Sequence, residues 1–220
     1  MCFSAEASFT GGLIITSIGL VSVVKVRNPK QLLFASIPIF FGVQQIIEGF
    51  IWILIPHPEY FAYQNIAAHL YLVFAHALWP LIIPLSVLLM EENARKIKIL
   101  RILTAVGLCL MLFYLACQFI YTLSPQIDCY HILYVSDFPL AISNSALVFY
   151  LICAFTPLFI SSNKRTKVMG TLMLFACIIT VLFFTIYLTS VWCFFAALIS
   201  AVVIWVLKYP EKIEISESQV

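Results

Sequence analysis

The sequence predicts an all-α, seven-helix transmembrane bundle with its N-terminus outside the cell and its C-terminus in the cytoplasm. Three observations support this prediction: an apolar composition, regularly spaced apolar runs, and basic residues that all fall on one side of those runs. Hydrophobic residues make up 63% of the chain and charged residues 10%, whereas a soluble domain is about 45–50% apolar and about 25% charged. The net charge is only +2 and no Lys/Arg cluster is interleaved with aromatic residues, so we expect membrane lipids and not nucleic acid as partners.

Five apolar runs each have the length of one membrane crossing, which takes about 17–25 residues for roughly 30 Å of hydrocarbon. They cover residues 9–24, 32–55, 66–89, 99–123 and 138–160. A sixth run, residues 168–207, contains 40 residues and no charge. As one helix this run would be about 60 Å long, twice the bilayer, so it must fold back into two spans. We expect the turn within residues 187–192, at Thr189 and Ser190.

The basic residues predict the orientation of these spans. Seven spans put all twelve of them on one side, after the first, third, fifth and seventh spans. They are Lys25, Arg27, Lys30, Arg95, Lys96, Lys98, Arg101, Lys164, Arg165, Lys167, Lys208 and Lys212. Because short cytoplasmic connections carry the excess of Lys and Arg, this side is predicted to be cytoplasmic. Residues 1–209 therefore form one transmembrane domain, and the polar residues 210–220 form a short cytoplasmic tail that we expect to be disordered.

A small set of polar side chains lies within the predicted spans, towards their outer ends. His69 and His76 are seven residues apart, which places them on one helical face about 10 Å apart along the axis. Glu48 is the acidic residue well inside the preceding span, at a depth between the two histidines. An ionisable group at membrane depth is costly and indicates a functional or a paired structural site. The sequence therefore predicts an outward-facing polar pocket around Glu48, His69 and His76.

Neighbouring polar residues extend this pocket. Gln44, Gln45 and Trp52 share the helical face of Glu48, while Gln118 and Asn144 lie at a similar depth in other spans. We expect Gln44, Gln45, Glu48, Trp52 and Asn144 to contact a bound ligand.

Two histidines and a carboxylate are also a ligand set for a divalent metal with open positions. Glu48, His69 and His76 could thus hold a metal such as zinc, although two histidines on one helix more often share a metal at a spacing of four residues. A structural alternative also fits, in which Glu48 pairs with one histidine and the other bonds to backbone or a small polar side chain.

The seven cysteines contain no Cys-x-x-Cys pair. Cys109, Cys117, Cys153 and Cys177 fall inside spans and are predicted to pack as small apolar residues. Cys2, Cys129 and Cys193 fall at the outer boundary, where an oxidising compartment permits a disulfide between two of the three.

Three segments, MCFSAEASF, FGVQQIIEGFIW and VWCFFAA, resemble a family of uncharacterised prokaryotic multi-pass membrane proteins that begin Met-Cys-Phe-Ser. The resemblance implies the cytoplasmic membrane of a prokaryote, and it implies no activity. It also implies that the matching polar and aromatic residues of these segments belong to one shared feature. These residues are Cys2, Gln44, Gln45, Glu48, Trp52, Trp192 and Cys193.

Two functions remain open at this point. The pocket could bind a small ligand or ion, as in a sensor or transporter, or it could hold a metal in an intramembrane hydrolase for lipids or other amphipathic substrates. A microbial rhodopsin is excluded because the last span has no lysine for retinal. Alkaline ceramidase-like hydrolases share the seven-span plan but carry two histidines in the last span, where this sequence has none. No catalytic residue is assigned, and a role in assembly is a third option.

Overall fold

The structure, a computed structural model, describes residues 4–128 and 130–207, with the backbone alone for residues 140–143. Ten helices are α1 (Ala5–Lys25), α2 (Leu32–Ala35), α3 (Ile37–Leu54), α4 (Phe61–Leu72), α5 (Trp79–Met90), α6 (Ala94–Ile120), α7 (Leu140–Ile160), α8 (Lys164–Phe183), α9 (Leu188–Ser200) and α10 (Val203–Leu207). A π-helical segment, Val73–Leu78, joins α4 to α5. Short 3₁₀ turns occupy Pro29–Gln31, Pro58–Tyr60 and Thr185–Tyr187. Two strands, β1 (Leu123–Asp128) and β2 (His131–Ser136), form an antiparallel hairpin.

Six helical stretches in the described residues are long and apolar enough to cross a membrane, as expected for a polytopic membrane protein. They are Ala5–Lys25, Pro29–Leu54, Pro58–Met90, Ala94–Ile120, Lys164–Phe183 and Thr185–Leu207. Helix α7 is also apolar, but its fully described part, Asn144–Ile160, is shorter. Cys2, Cys129, Lys208, Lys212 and the predicted tail, residues 210–220, lie outside the described residues.

Short polar side chains start the helices on the basic side of the bundle. Asn93 accepts hydrogen bonds from the backbone N–H groups of Arg95 and Lys96 at the start of α6, at 3.0 and 3.3 Å. Asn163 accepts from the N–H of Arg165 at the start of α8, at 2.9 Å. These caps satisfy backbone donors that have no partner within the helix.

Glycines let two pairs of helices approach closely. A Cβ on Gly42 of α3 would lie 2.8 Å from the carbonyl oxygen of Gly12 in α1. A Cβ on Gly107 of α6 would overlap the carbonyl oxygen of Pro80 in α5. Small residues at such contacts let helices gain packing contacts in lipid, where the hydrophobic effect does not drive helices together.

The predicted fourth span is wrong at its outer end. Helix α6 ends at Ile120, and Leu123, predicted as the end of the span, begins β1. The hairpin buries Leu123 and Ile132, which are 7% and 1% exposed, against the helices. The segment was expected to be an outer loop because its single proline and few alternating apolar residues give only a weak strand pattern.

The predicted turn between the last two long helices is also displaced. Helix α8 ends at Phe183, the 3₁₀ turn Thr185–Tyr187 follows, and α9 begins at Leu188. Thr189 and Ser190 therefore lie in the first turn of α9 and not in the connection. Threonine and serine are common in turns, but here tertiary contacts place both inside the bundle.

One carboxylate ties together two connections at the basic end. Glu91, directly after α5, accepts from the N–H of Asn93 at 3.0 Å and from the N–H and hydroxyl of Ser162 at 2.8 and 2.7 Å. Lys96 also donates to the hydroxyl of Ser162, at 2.8 Å. Partial burial alone would raise the pKa of Glu91, but these donors, led by the Ser162 hydroxyl, hold the pKa below its usual 4.5.

Replacing this carboxylate tests its structural role. We expect Glu91→Gln to destabilise the protein at neutral pH by about 1–3 kcal/mol, because an amide cannot accept from all of these donors. The measurement is thermal unfolding in detergent, with the adjacent and exposed Glu92→Gln as control. Since the folded-state pKa is lowered, the stabilisation is present above pH 4.5 and is lost as the pH falls further. Equal melting temperatures for the two variants at pH 7 would contradict this role.

Candidate functional site

A cavity of about 390 Å³ lies between α4, the π-helical segment, α6, α7, α8 and α9, with the hairpin at one end. Its wall is mostly aliphatic and aromatic, and Tyr114 and Trp192 are among the larger side chains. The polar residues of the wall include His69, His76 and Thr189. An apolar cavity with a few converging polar groups is typical of a small-molecule site.

The π-helical segment gives His76 its position. Pro80 lacks an N–H, so the preceding turn cannot close its full set of α-helical hydrogen bonds. The hydroxyl of Tyr150 in α7 donates to the carbonyl oxygen of Ala75 at 3.0 Å. His76 Nε2 lies 3.4 Å from Thr189 Oγ1. Such π-helical insertions occur frequently at functional sites, and this one directs a histidine towards α9.

Two turns before His76, His69 also lines the cavity. Its Nδ1 lies 2.9 Å from the carbonyl oxygen of Asn65, four residues before it in α4. The amide of Gln118 in α6 donates to the His69 carbonyl oxygen at 3.1 Å and accepts from the N–H of Val73 at 3.2 Å. Gln118 therefore supports the helix where the regular α-helical pattern ends.

The hairpin forms one end of the cavity and is attached to the helices at several points. Tyr134 of β2 stacks on Tyr71 of α4, with ring centroids 5.0 Å apart. Gln64 of α4 donates to the Pro125 carbonyl oxygen at 3.2 Å. Tyr187 donates to Asp128 at 2.6 Å. These contacts place a rigid aromatic surface over the cavity.

His131, at the start of β2, packs against aromatic residues that precede α9. Its ring stacks on that of Tyr187 at 4.5 Å and lies 5.5 Å from that of Phe184. This burial lowers the pKa of His131, and the nearby carboxylate of Asp128 partly offsets the effect. The neutral imidazole is thus favoured where it packs on the aromatic rings.

Glu48 lies in a polar cluster between α3 and α9. It is fully buried and accepts from Ser190 at 2.5 Å and from Gln45 at 3.2 Å. Gln44, also fully buried, accepts from the indole N–H of Trp79 at 3.1 Å. The Glu48 carboxyl and the Trp79 indole, which would be costly inside a bilayer without partners, are thereby hydrogen-bonded.

The sequence matches one protein family, described as a family of unknown function (DUF6629), over residues 1–216. The match covers almost the whole chain. The protein is a member of DUF6629. No curated protein and no solved structure matches it. The expectation of an uncharacterised family is confirmed, while its prokaryotic origin stays a prediction.

In this DUF6629 protein, the predicted pocket is divided into two parts. His69 and His76 line the cavity, whereas Glu48 bonds to residues of the adjacent cluster. In the part of the chain that the structure describes, no three His, Cys, Asp or Glu residues are grouped so that they could hold a metal. The predicted zinc site at Glu48, His69 and His76 therefore gains no support and stays a prediction.

The other predicted site residues are dispersed. Trp52 is partly buried, with an indole N–H that has no partner among the described residues, and Asn144 is exposed. Cys193, expected at the outer boundary, is buried in α9 as a free thiol and lines the cavity. The two partners proposed for a disulfide, Cys2 and Cys129, lie outside the described residues, so that pairing stays a prediction.

Sequence reasoning missed four residues of the site: Thr189, Ser190, Tyr134 and Tyr150. Thr189 and Ser190 were assigned to a turn, and Tyr134 to an outer loop. Tyr150 gave no signal because a tyrosine in an apolar run is equally typical of lipid-facing and buried positions.

The hydrogen bond from Ser190 to Glu48 can be tested through stability. We expect Ser190→Ala to cost about 1–3 kcal/mol, because it removes a donor from a fully buried carboxyl group. Thermal unfolding in detergent is the measurement. The matched control is Ser22→Ala, since the buried Ser22 hydroxyl has no partner among the described residues. A Ser190→Ala melting temperature no lower than that of the control would rule out this contribution.

Proposed function

We propose that this DUF6629 protein binds a small amphipathic ligand in the cavity lined by His69 and His76, as a sensor- or transporter-like membrane protein. The cavity itself is the observation that carries the proposal. Its volume of about 390 Å³ lies within the range of about 300–1,000 Å³ found for small-molecule sites. Its aromatic and aliphatic wall suits an apolar body, and its few polar groups suit one polar head.

The first turn of α9 supports a sensor-like role. Thr189 faces His76 in the cavity, and the next residue, Ser190, bonds to Glu48 in the buried cluster. A ligand that moves Thr189 would therefore move the donor to Glu48 as well. Ligand binding and the state of a buried acid would be coupled through two consecutive residues.

We further propose seven spans, with α7 as the fifth and with the hairpin on the outer face. Contacts between the basic connections support this arrangement: Lys96 donates to Ser162 at 2.8 Å, and Arg165 donates to the Trp205 carbonyl oxygen at 2.9 Å. These connections meet at one end of the bundle and the hairpin lies at the other. The positive-inside rule then places the cavity towards the outside.

Accessible cysteines test this orientation. We expect Tyr130→Cys, at the exposed tip of the hairpin, to react with a membrane-impermeant maleimide in intact cells. Arg95→Cys, also exposed, should react only after the membrane is permeabilised. Both substitutions are introduced into a variant in which the native cysteines are replaced by serine. Labelling of Arg95→Cys but not of Tyr130→Cys in intact cells would reverse the orientation.

A photoreactive probe tests ligand binding. In nanodiscs, we expect a decan-1-ol that carries a diazirine to crosslink saturably to peptides of the cavity wall, because this probe combines an apolar body with a small polar head. Mass spectrometry of the peptides is the measurement. Cys117→Trp should abolish the saturable part by filling the cavity, since Cys117 lines it.

The control for this variant is Cys109→Trp, on the same helix at an exposed position outside the cavity wall. The probe should crosslink to this variant saturably and to the same extent as to the wild type. Crosslinking that does not saturate, or that Cys117→Trp leaves unchanged, would show partitioning into lipid only and would overturn the proposal.

A further inference from the structure

We infer that the cavity selects neutral ligands whose polar head carries a hydrogen-bond donor, an alcohol on an apolar body, and that His69 Nε2 accepts that hydrogen bond. The inference rests on the proposed function and names the ligand class for the same cavity. It follows from the tautomer of His69, from the hydrogen bonds that other polar side chains of the wall already make, and from the lack of charged side chains among the described residues of the wall.

The tautomer of His69 follows from its partner. A carbonyl oxygen can only accept a hydrogen bond, so at 2.9 Å from the Asn65 carbonyl the Nδ1 atom carries the proton and donates. In a neutral imidazole the other nitrogen, Nε2, is then an acceptor. Among the described residues, Nε2 of His69 has no hydrogen-bond partner. Because His69 lines the cavity, we assign this acceptor to the ligand.

Three other polar side chains of the wall already have partners. The amide of Gln118 bonds to the backbone of His69 and Val73, and the hydroxyl of Tyr150 donates to the Ala75 carbonyl oxygen. His76 Nε2 is paired with Thr189. A ligand head that bound to these groups would have to break an existing bond, whereas His69 Nε2 offers its lone pair without such a loss.

The side chains of the cavity wall determine which charge the polar head of the ligand can carry. No Asp, Glu, Lys or Arg is among the described residues that line the cavity. An ammonium or carboxylate head would therefore be buried without a counter-charge, which is costly in an apolar site. A neutral hydroxyl satisfies both conditions, since it donates to His69 and needs no ion pair.

The cavity wall also provides an apolar surface for the body of the ligand. Tyr114 and Trp192 from the helices and Tyr134 and Phe138 from the hairpin segment line the same cavity. Aromatic faces bury large areas of an aliphatic or aromatic body at little conformational cost. The geometry thus combines the His69 acceptor with a predominantly apolar wall, as an amphipathic alcohol requires.

Two isomeric ligands test the inference at pH 8. Decan-1-ol has a hydroxyl donor, whereas nonyl methyl ether contains the same atoms and can only accept. Each competes with a diazirine-labelled decane, and concentrations are corrected for partitioning into the nanodiscs. We expect the alcohol to displace the probe at a concentration about two- to ten-fold lower than the ether, as expected for one neutral hydrogen bond.

Two variants assign this preference to His69. His69→Phe keeps an aromatic ring without an acceptor and should bring the alcohol-to-ether ratio to about one. His69→Gln retains an acceptor oxygen and should keep part of the preference. Thermal unfolding and saturable probe crosslinking show that each variant is folded.

The possible results separate the ligand class, the role of His69 and the proposed function. Equal displacement by alcohol and ether in the wild type would overturn the ligand class while leaving the cavity as a binding site. An unchanged preference in His69→Phe would overturn the role of His69. Absence of saturable crosslinking in the wild type would overturn the proposed function, and this inference with it.

Discussion

The hydrogen bond between Ser190 and Glu48 is the interaction on which the interior of this bundle depends. A carboxyl group with no exposed surface sits in α3, and its partner comes from the first turn of α9, far away in sequence. Without such a partner the acid would carry a large desolvation cost inside lipid. Ser190 lies in the first turn of α9, and the residue before it, Thr189, lies opposite His76.

A second constraint is that the backbone N–H and carbonyl groups of α4 and α5 need hydrogen-bond partners. Pro80 removes one N–H, and the helix adapts through a π-helical segment whose surroundings come from other helices. The hydroxyl of Tyr150 bonds to one of its carbonyl oxygens, and the amide of Gln118 bridges the turn before it. Irregular backbone at membrane depth is tolerated where protein groups satisfy it or where it lines a cavity, and both conditions hold here.

The sequence was sufficient to predict several helices that are apolar and long enough to cross a membrane, because apolar length can be counted directly along the chain. It also identified Glu48, His69 and His76, since an ionisable residue stands out in an apolar run. It did not separate Glu48 from the histidines, because depth along a helix axis does not determine which side chains face the same cavity. The positions of Thr189 and Ser190 were also out of reach, since their contacts join residues more than a hundred positions apart.

The hairpin has a consequence for how the molecule assembles. A two-stranded hairpin is marginally stable in water by itself, and this one is held by Gln64, Tyr71 and Tyr187, which come from two separate parts of the bundle. Those residues reach their positions only when α4 and the turn before α9 have come together. The hairpin therefore depends on the assembled bundle for its position, and the cavity has this end wall only when the bundle is complete.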